Sequence, residues 1–158
     1  RVELEHALRT WAPGTFGLQW QDRDFAAEGF ESFVPASRIE SHAAYLTQAL
    51  DATRARLEFG ARIEGSETRP EDGERSIGGA VVVKLPARLS YTAKSGMVAL
   101  EVPLGSRLAL RGSYDHAARA PDVQELLALG PHLSTRSFDV GNIALGLETT
   151  RGAGLALE

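Results

Sequence analysis

Apolar and polar residues alternate along most of this chain, the period of a β-strand rather than of a helix. The pattern is clearest from Arg54 to Glu64. There Ala55, Leu57, Phe59, Ala61 and Ile63 face one way, and Arg54, Arg56, Glu58, Arg62 and Glu64 face the other. Val2, Leu4 and Leu8 alternate against Glu3, Glu5 and Ala7, and Phe16, Leu18 and Trp20 against Gly17, Gln19 and Gln21. A third strand is expected from Ser37 to Leu50, with Ile39, Ala43 and Tyr45 opposite Arg38, Glu40 and His42. Leu89 to Val102 reads as another, with a bulge near Ser95-Gly96. Leu108 to Tyr114 leads into a region that returns as a strand ending at Glu148.

Between these runs the breaks differ in length. Those near residues 13, 51, 104 and 152 are short, and those near 30, 70 and 125 are long. Ala26 to Ala36 loses the alternation, and the charged run Ser66 to Ser76 carries Pro70 and Gly73, so both read as exposed loops. Ile77 to Leu85 fits either a hairpin within a loop or an extension of the next strand. Strict alternation of short and long connections is a property of outer-membrane β-barrels, which have short periplasmic turns and long external loops. Arg54 to Glu64 also has the ~9–11 residues that a tilted membrane-spanning strand needs, whereas soluble strands run to ~5–6. Periodicity alone leaves open which face meets water. A soluble antiparallel β domain that binds a small ligand is the alternative, with its apolar face turned inward.

Composition narrows the function. A net charge of −4 over 158 residues offers no basic field for nucleic acid. With no cysteine there is neither a disulfide framework nor a thiolate metal site. No apolar run approaches the ~20 residues of a membrane helix, a test that β-strands evade. No Gly-x-Ser-x-Gly, His-Glu-x-x-His or P-loop pattern occurs, so no catalytic constellation is legible and no enzyme is expected. There is no initiating Met and no signal peptide, and Gly154 to Glu158 looks like a strand cut short. The expectation is an internal piece of a longer protein.

The most informative stretch is Tyr114 to Glu148. Pro121 suits the first turn of a helix, and Glu125 lies where the helix dipole favours a carboxylate. Val123, Leu126 and Leu127 form one apolar side, and Gly130-Pro131 stops the helix, which is expected over residues 121–129. Five pieces occur in order: Arg119-Ala120-Pro121, Glu125-Leu126, Gly130-Pro131-His132, Gly141-Asn142 and Leu145-Gly146-Leu147-Glu148. In this set the chain resembles the barrels of TonB-dependent outer-membrane receptors. Ala118 stands where the family often has an aromatic residue. Gly29 to Pro35 is similar to a Gly-Glu-Glu-x-x-x-Pro loop of members near the zinc-uptake branch; Phe30 replaces the first acid, so only Glu31 carries across.

The resemblance implies an all-β fold, an antiparallel up-and-down transmembrane β-barrel segment of about eight strands with one short helix in an external loop. Residues 1–158 would be part of the barrel domain, with plug domain and closing strands absent. It implies energy-dependent uptake of a scarce ligand, a metal ion or metal chelate, across the outer membrane of a Gram-negative bacterium. The partners would be a plug domain, the TonB energy-transducing protein and outer-membrane lipid, with no resident cofactor beyond zinc or a chelate as cargo. Leu57, Phe59, Ile63, Leu108 and Leu110 would point out of the barrel. Of the four histidines, His6 and His42 read as ordinary strand or lumen residues. His132, in its loop, and Glu31 are the candidate metal ligands, since imidazole suits zinc and copper. His116, Arg119 and Asp139 are the candidate ligand-binding residues, His116 or Asp139 being able to add a donor. Arg119 is also expected to pin the loop by pairing with Asp115 or Asp122.

Overall fold

The computed structural model describes residues 1–7, 9–27, 32–77, 80–132 and 136–158. Leu8 and Glu31, with Gly29 and Phe30 of the same loop, lie outside the described residues. Seven strands form one antiparallel sheet. They are β1 (Val2–Ala7), β2 (Pro13–Phe25), β3 (Ser37–Ala52), β4 (Ala55–Pro70), β7 (Leu89–Pro103), β8 (Ala109–Arg119) and β11 (Glu148–Leu157), neighbours in that order. Between β4 and β7 a hairpin, β5 (Glu74–Ile77) and β6 (Ala80–Lys84), stands in the loop. Between β8 and β11 come a short helix, α1 (Val123–Leu127), and a second hairpin, β9 (Leu129–His132) with β10 (Ser137–Val140). The sheet is an open arc and does not close on itself.

Register fixes what each face carries. Phe16, Leu46 and Ala61 stand directly opposite one another on β2, β3 and β4, as do Phe59, Val98 and Tyr114 on β4, β7 and β8. This face is apolar and uncovered: Trp20 is 75% exposed and Leu155 78%, and Leu4, Leu18, Ile63, Leu100, Leu110 and Leu157 are exposed too. The opposite face carries Gln19, Tyr45, Arg56, Glu58, Arg62, Glu64, Glu101 and Arg111, and α1 is folded over it. Leu57, Phe59, Ile63 and Leu110 are on the uncovered face, and Leu108 is exposed in the turn before β8. An apolar face this wide, left bare while the charged face is enclosed, is the inverse of a water-soluble sheet.

The apolar band also runs diagonally. At its upper edge on β2, Trp20 is in register with His42, Gly65 and Thr92. On β8 the edge is at Tyr114, in register with Val98. Along β7, Thr92 to Val98 is about 20 Å, and β2 to β8 is four strand spacings, about 19 Å. If the edge is level in the membrane, the strands tilt by about 45°, the upper end of the ~35–45° of outer-membrane barrels.

Several sequence expectations need correction. The pairing of β4 with β7 is continuous through Ser95 and Gly96, so there is no bulge there. Instead β7 and β8 part above the pair Gly96 and His116, and the Ser95 hydroxyl takes over, accepting from Ala118 N–H at 3.0 Å. The last strand begins at Glu148 rather than ending there, and it passes through Gly152 without a turn. The Asp115 carboxylate lies across this glycine, its Oδ1 2.4 Å from where a Cβ would stand, and would have to swing aside for any other residue. The Ser66 to Ser76 segment is strand as far as Pro70, and Ala80–Lys84, paired with Glu74–Ile77, takes the hairpin alternative.

All short connections lie at one end of the arc and all long ones at the other. Phe59 is close to the middle of the band, so Phe59→Arg is expected to lower stability in detergent or bilayer by about 2–4 kcal/mol. Thr47→Gln, on the charged face, should change it by under about 0.5 kcal/mol. Equilibrium unfolding monitored by tryptophan fluorescence in vesicles would show the difference, and equal losses would contradict the assignment of faces.

Candidate functional site at the loop-covered end of the lumen

Pro121 precedes the helix rather than entering it, and Asp122 is the N-cap. The Asp122 carboxylate accepts from Gln124 N–H at 3.1 Å, and Glu125 accepts from Asp122 N–H at 2.7 Å, a reciprocal capping box. Five residues are too few for an isolated helix to be stable. What holds α1 is burial: Leu126 is 1% exposed, and Val123 and Leu127 are equally enclosed. They pack with Val34 against Phe25, Ile39, Leu89 and Tyr91 on the charged face of the sheet, toward the long-loop end. Each such side chain contributes about 1.5–3 kcal/mol on full burial.

Arg119 ends β8 and clamps this helix. Its guanidinium donates to both Glu125 oxygens at 3.1 Å, the bidentate geometry that suits arginine and carboxylate, and it also pairs with Glu148. The expected partners Asp115 and Asp122 are not used; Asp122 instead pairs with Arg23 on β2 at 3.7 Å. Gly141 N–H donates to Ala128 C=O at 2.6 Å and Asn142 N–H to Glu125 C=O at 2.9 Å, satisfying carbonyls that the helix end leaves open. A Cβ on Gly141 would come within 2.7 Å of the Leu126 and Ala128 backbone. Leu129 N–H donates to Phe33 C=O at 2.6 Å, and Gly130, at φ +156°, lets Phe33 close over it. The five sequence pieces are thus the ties of one folded loop.

Beneath α1 lies a polar recess of about 210 Å³, lined by Gln21, Arg23, Ser41, Glu64 and Ser66 and roofed by Arg119 to Val123. Deeper on the same face the charges are paired. Arg62 binds Glu64 at 2.5 Å and lies 5.8 Å from the Tyr45 ring centre. Asp51, Arg56, Glu58, Arg111 and Glu101 link four neighbouring strands at 2.8–3.4 Å. None of this supplies an activated nucleophile. It is a hydrated, ion-paired wall.

The chain itself is matched by a family model, TonB dependent receptor-like, beta-barrel, over residues 1–157. The chain belongs to the TonB-dependent receptor β-barrel family. Neither a curated protein nor a solved structure matches it. Membership implies transport of ligands across an outer membrane, typically that of Gram-negative bacteria, with a plug domain and TonB as partners, and the family's members are transporters rather than enzymes.

The receptor arc separates the candidate ligand residues. His132 Nδ1 is 3.0 Å from Asp139 Oδ2, its ring lies 5.0 Å from that of Phe33, and Ser137 donates to Asp139 at 2.8 Å. His116 is elsewhere, on the outer face of β8 in register with Gly96 and Arg151. Arg119 is committed to the clamp, and Glu31 lies outside the described residues. The sequence singled out neither Arg23 nor Ser41 and placed Glu64 only on the charged face of its strand, since the fold of the loop back over the strands is what brings them under α1.

Two outcomes follow for the loop. Gly141→Ala is expected to cost it about 1–3 kcal/mol, read as roughly ten- to hundredfold faster amide exchange at Leu126 to Ala128 with little change in the strands. The second concerns acid. The Arg119 guanidinium, then the Asp122 N–H, hold the Glu125 carboxyl below its ordinary value of 4.5. A depressed carboxyl stabilises fully above that value and loses its contribution as pH falls from it toward the depressed one. Amide protection of α1 should therefore be flat from neutral pH to about pH 5 and decline below about 4.5. In Glu125→Gln that acid step should shrink; an unchanged step would assign it to another group.

Proposed function

We propose that this chain is an arc of the barrel of an outer-membrane receptor that takes up a scarce ligand past a plug, driven by TonB. The observation that carries this reading is the diagonal apolar band on the outside, backed by a paired-charge wall inside. Strands β1 and β11 flank the arc with uncovered edges. A long open edge beside an apolar face invites further pairing, which neighbouring barrel strands would supply. The soluble-domain alternative would require the same apolar face to be buried, and it is bare.

Within that function, the cargo we favour is a metal chelate contacted by His132, with Glu31 adding a carboxylate from the β2 to β3 connection. Support comes from imidazole chemistry and from Asp139, which orients the His132 ring. His132 and Asp139 are two donors on one hairpin, whereas zinc usually takes four. A chelate brings donors of its own, and anionic groups on it could reach Arg119 or Arg23 beside the recess. His116 faces away from the lumen and is set aside from this role.

The test has two arms. Uptake of radiolabelled zinc and of ferric citrate by cells with and without TonB checks the transport reading. Titration of the intact receptor with zinc chloride and with ferric citrate, comparing wild type, His132→Ala and Glu31→Ala, checks the site. At least about tenfold weaker binding is expected from His132→Ala, the effect of losing one ligand-orienting or ligand-contacting group. Equal affinities in all three would retire the metal site and leave the transport reading to stand on the first arm.

A further inference from the structure

Above the pair Gly96 and His116 the wall is split, and strand register shows which atoms face the split. In an antiparallel ladder the N–H and C=O of one residue point to the same side, and successive residues point to opposite sides. Three contacts fix the phase. Ala109 exchanges both backbone bonds with Glu158, at 2.8 and 2.9 Å, so odd-numbered residues of β8 face β11 and even-numbered ones face β7. Ala118 accordingly donates to Ser95 Oγ at 3.0 Å and accepts from it at 3.3 Å. Leu104 N–H donates to Leu108 C=O at 2.8 Å, so even-numbered residues of β7 face β8. From Val102 to Gly96 those residues are paired with β8, and Lys94, Thr92 and Ser90 continue the same row beyond it.

Each of these three residues turns its N–H and C=O to the split, along an edge about 13 Å long. Those groups have no hydrogen bond among the described residues, although β7 is paired with β4 on its other side as far as Leu89. β8 does not close the edge, because after Arg119 the chain turns to the lumen and enters α1. The returning segment does not close it either. Its N–H groups at Gly141, Asn142, Ala144 and Leu145 are spent on Ala128, Glu125 and Asn142. That segment backs the split from inside, where Leu145 C=O accepts from the Tyr91 hydroxyl at 3.1 Å. Ser90, Thr92 and Lys94 are exposed on the outer face. The edge is therefore open to the outside of the wall, above Tyr114 at the top of the apolar band.

We propose that this edge of β7 is a docking site for an extended segment of another protein at the cell surface. The segment adds as a strand antiparallel to β7, in the line that β8 leaves. Main-chain donors and acceptors that recur every ~6.8 Å are met in full only by another extended backbone. The ladder that β8 makes with β7 up to Gly96 already sets the geometry for it. Guest side chains in register with Ser90 and Thr92 stand outward in water beside two hydroxyls, where threonine or serine fits. Those between them turn inward toward Tyr91 and Leu145, which is 39% exposed, so apolar β-branched residues fit there. A cargo in the lumen does not reach the edge, since the core around α1 packs over Leu89 and Tyr91 on that side. The site depends on the membrane orientation above, with the long loops external, but not on what the barrel transports.

The experiment uses the intact receptor in lipid nanodiscs and a labelled peptide of alternating threonine and valine, about seven residues long, enough to span the edge. In the free receptor the amides of Thr92 and Lys94 should exchange at least about a hundredfold faster than those of Ala93 and Ser95, which face β4. Peptide at about 1 mM should slow Thr92 and Lys94 by at least about tenfold. Methylating the threonine nitrogens, which face β7, should weaken binding by at least about tenfold, whereas methylating the valine nitrogens should leave it within about threefold. Thr92→Pro removes a donor of the edge and no bond to β4, so it should weaken binding by about fivefold or more. Continued protection of Ala93 and Ser95 in that variant separates loss of the donor from damage to the strand. Thr92 and Lys94 protected in the free receptor would mean that its own chain already covers the edge, and would overturn the proposal. So would equal binding of the two methylated peptides, or exchange at Thr92 and Lys94 unchanged by the unmodified one.

Discussion

Strand register is the constraint on which this structure depends. Side chains alternate between faces with a period of two, so a slip of one residue would send Arg56, Glu58 and Arg62 into lipid and Leu57, Phe59 and Ile63 into the lumen. Each misplaced cation would cost about 2–4 kcal/mol at the middle of a bilayer. The cost would be incurred on every strand paired to the slipped one, which makes the six registers of the sheet cooperative. Local devices lock them. Gly17 lets Tyr45 lie across it, for example, and the Tyr45 hydroxyl then reaches Glu3 while the ring meets the Arg1 and Arg62 guanidinium groups. One aromatic ring thereby ties β1, β2, β3 and β4 in a single register.

The loop between β8 and β11 is held by a different logic. Its backbone leaves the sheet and cannot be satisfied by ladder bonds, so each exposed end needs a specific partner. Asp122, Gly141 and Asn142 serve the two ends of α1, and Arg119 joins the helix to both flanking strands through Glu125 and Glu148. This brings together Arg119, Glu125 and Glu148, which are separated by up to 29 positions. They meet in one ion-paired cluster at the point where β8 ends and β11 begins. Surface pairs of this kind contribute little singly, but a bidentate arginine shared by two carboxylates sets the angle at which the loop leaves the wall.

What the sequence revealed follows from where water is. Within the membrane one face must be apolar, so β3 and β4 announce themselves by alternation. Above the membrane the outer face is wet as well, and the continuation of β4 through Glu67 and Arg69 to Pro70 loses its signal, although its pairing with β3 goes on unchanged. Glycine misled for a related reason. Gly152 read as a turn, yet it faces Asp115, whose side chain occupies the space. The loop was legible as motif but not as geometry: the helix and its stop were visible, whereas the partners of Arg119 and the recess lined by Arg23 and Glu64 depend on contacts distant in sequence. His116 shows the limit most plainly. Its proximity in sequence to the helix loop suggested a ligand role, and the parity of β8 turns it outward instead.

The pairing of charges inside the arc bears on how a cargo can pass. A lumen lined by unpaired arginines would hold an anionic ligand, and one lined by unpaired acids would hold a metal. Here Arg62 with Glu64, and Arg56 and Arg111 with Asp51, Glu58 and Glu101, place opposite signs side by side, both within β4 and across β3, β4, β7 and β8, at 2.5–3.4 Å. Their fields largely cancel beyond a few ångströms, while the polar atoms still keep the wall wet. Passage requires attraction strong enough for entry and weak enough for release. The recess beneath α1 retains more varied chemistry, with Arg23, Ser41, Glu64 and Ser66 around one small space. Selectivity is therefore expected at the loop-covered end, and the paired wall below it suits a path along which a cargo is not detained.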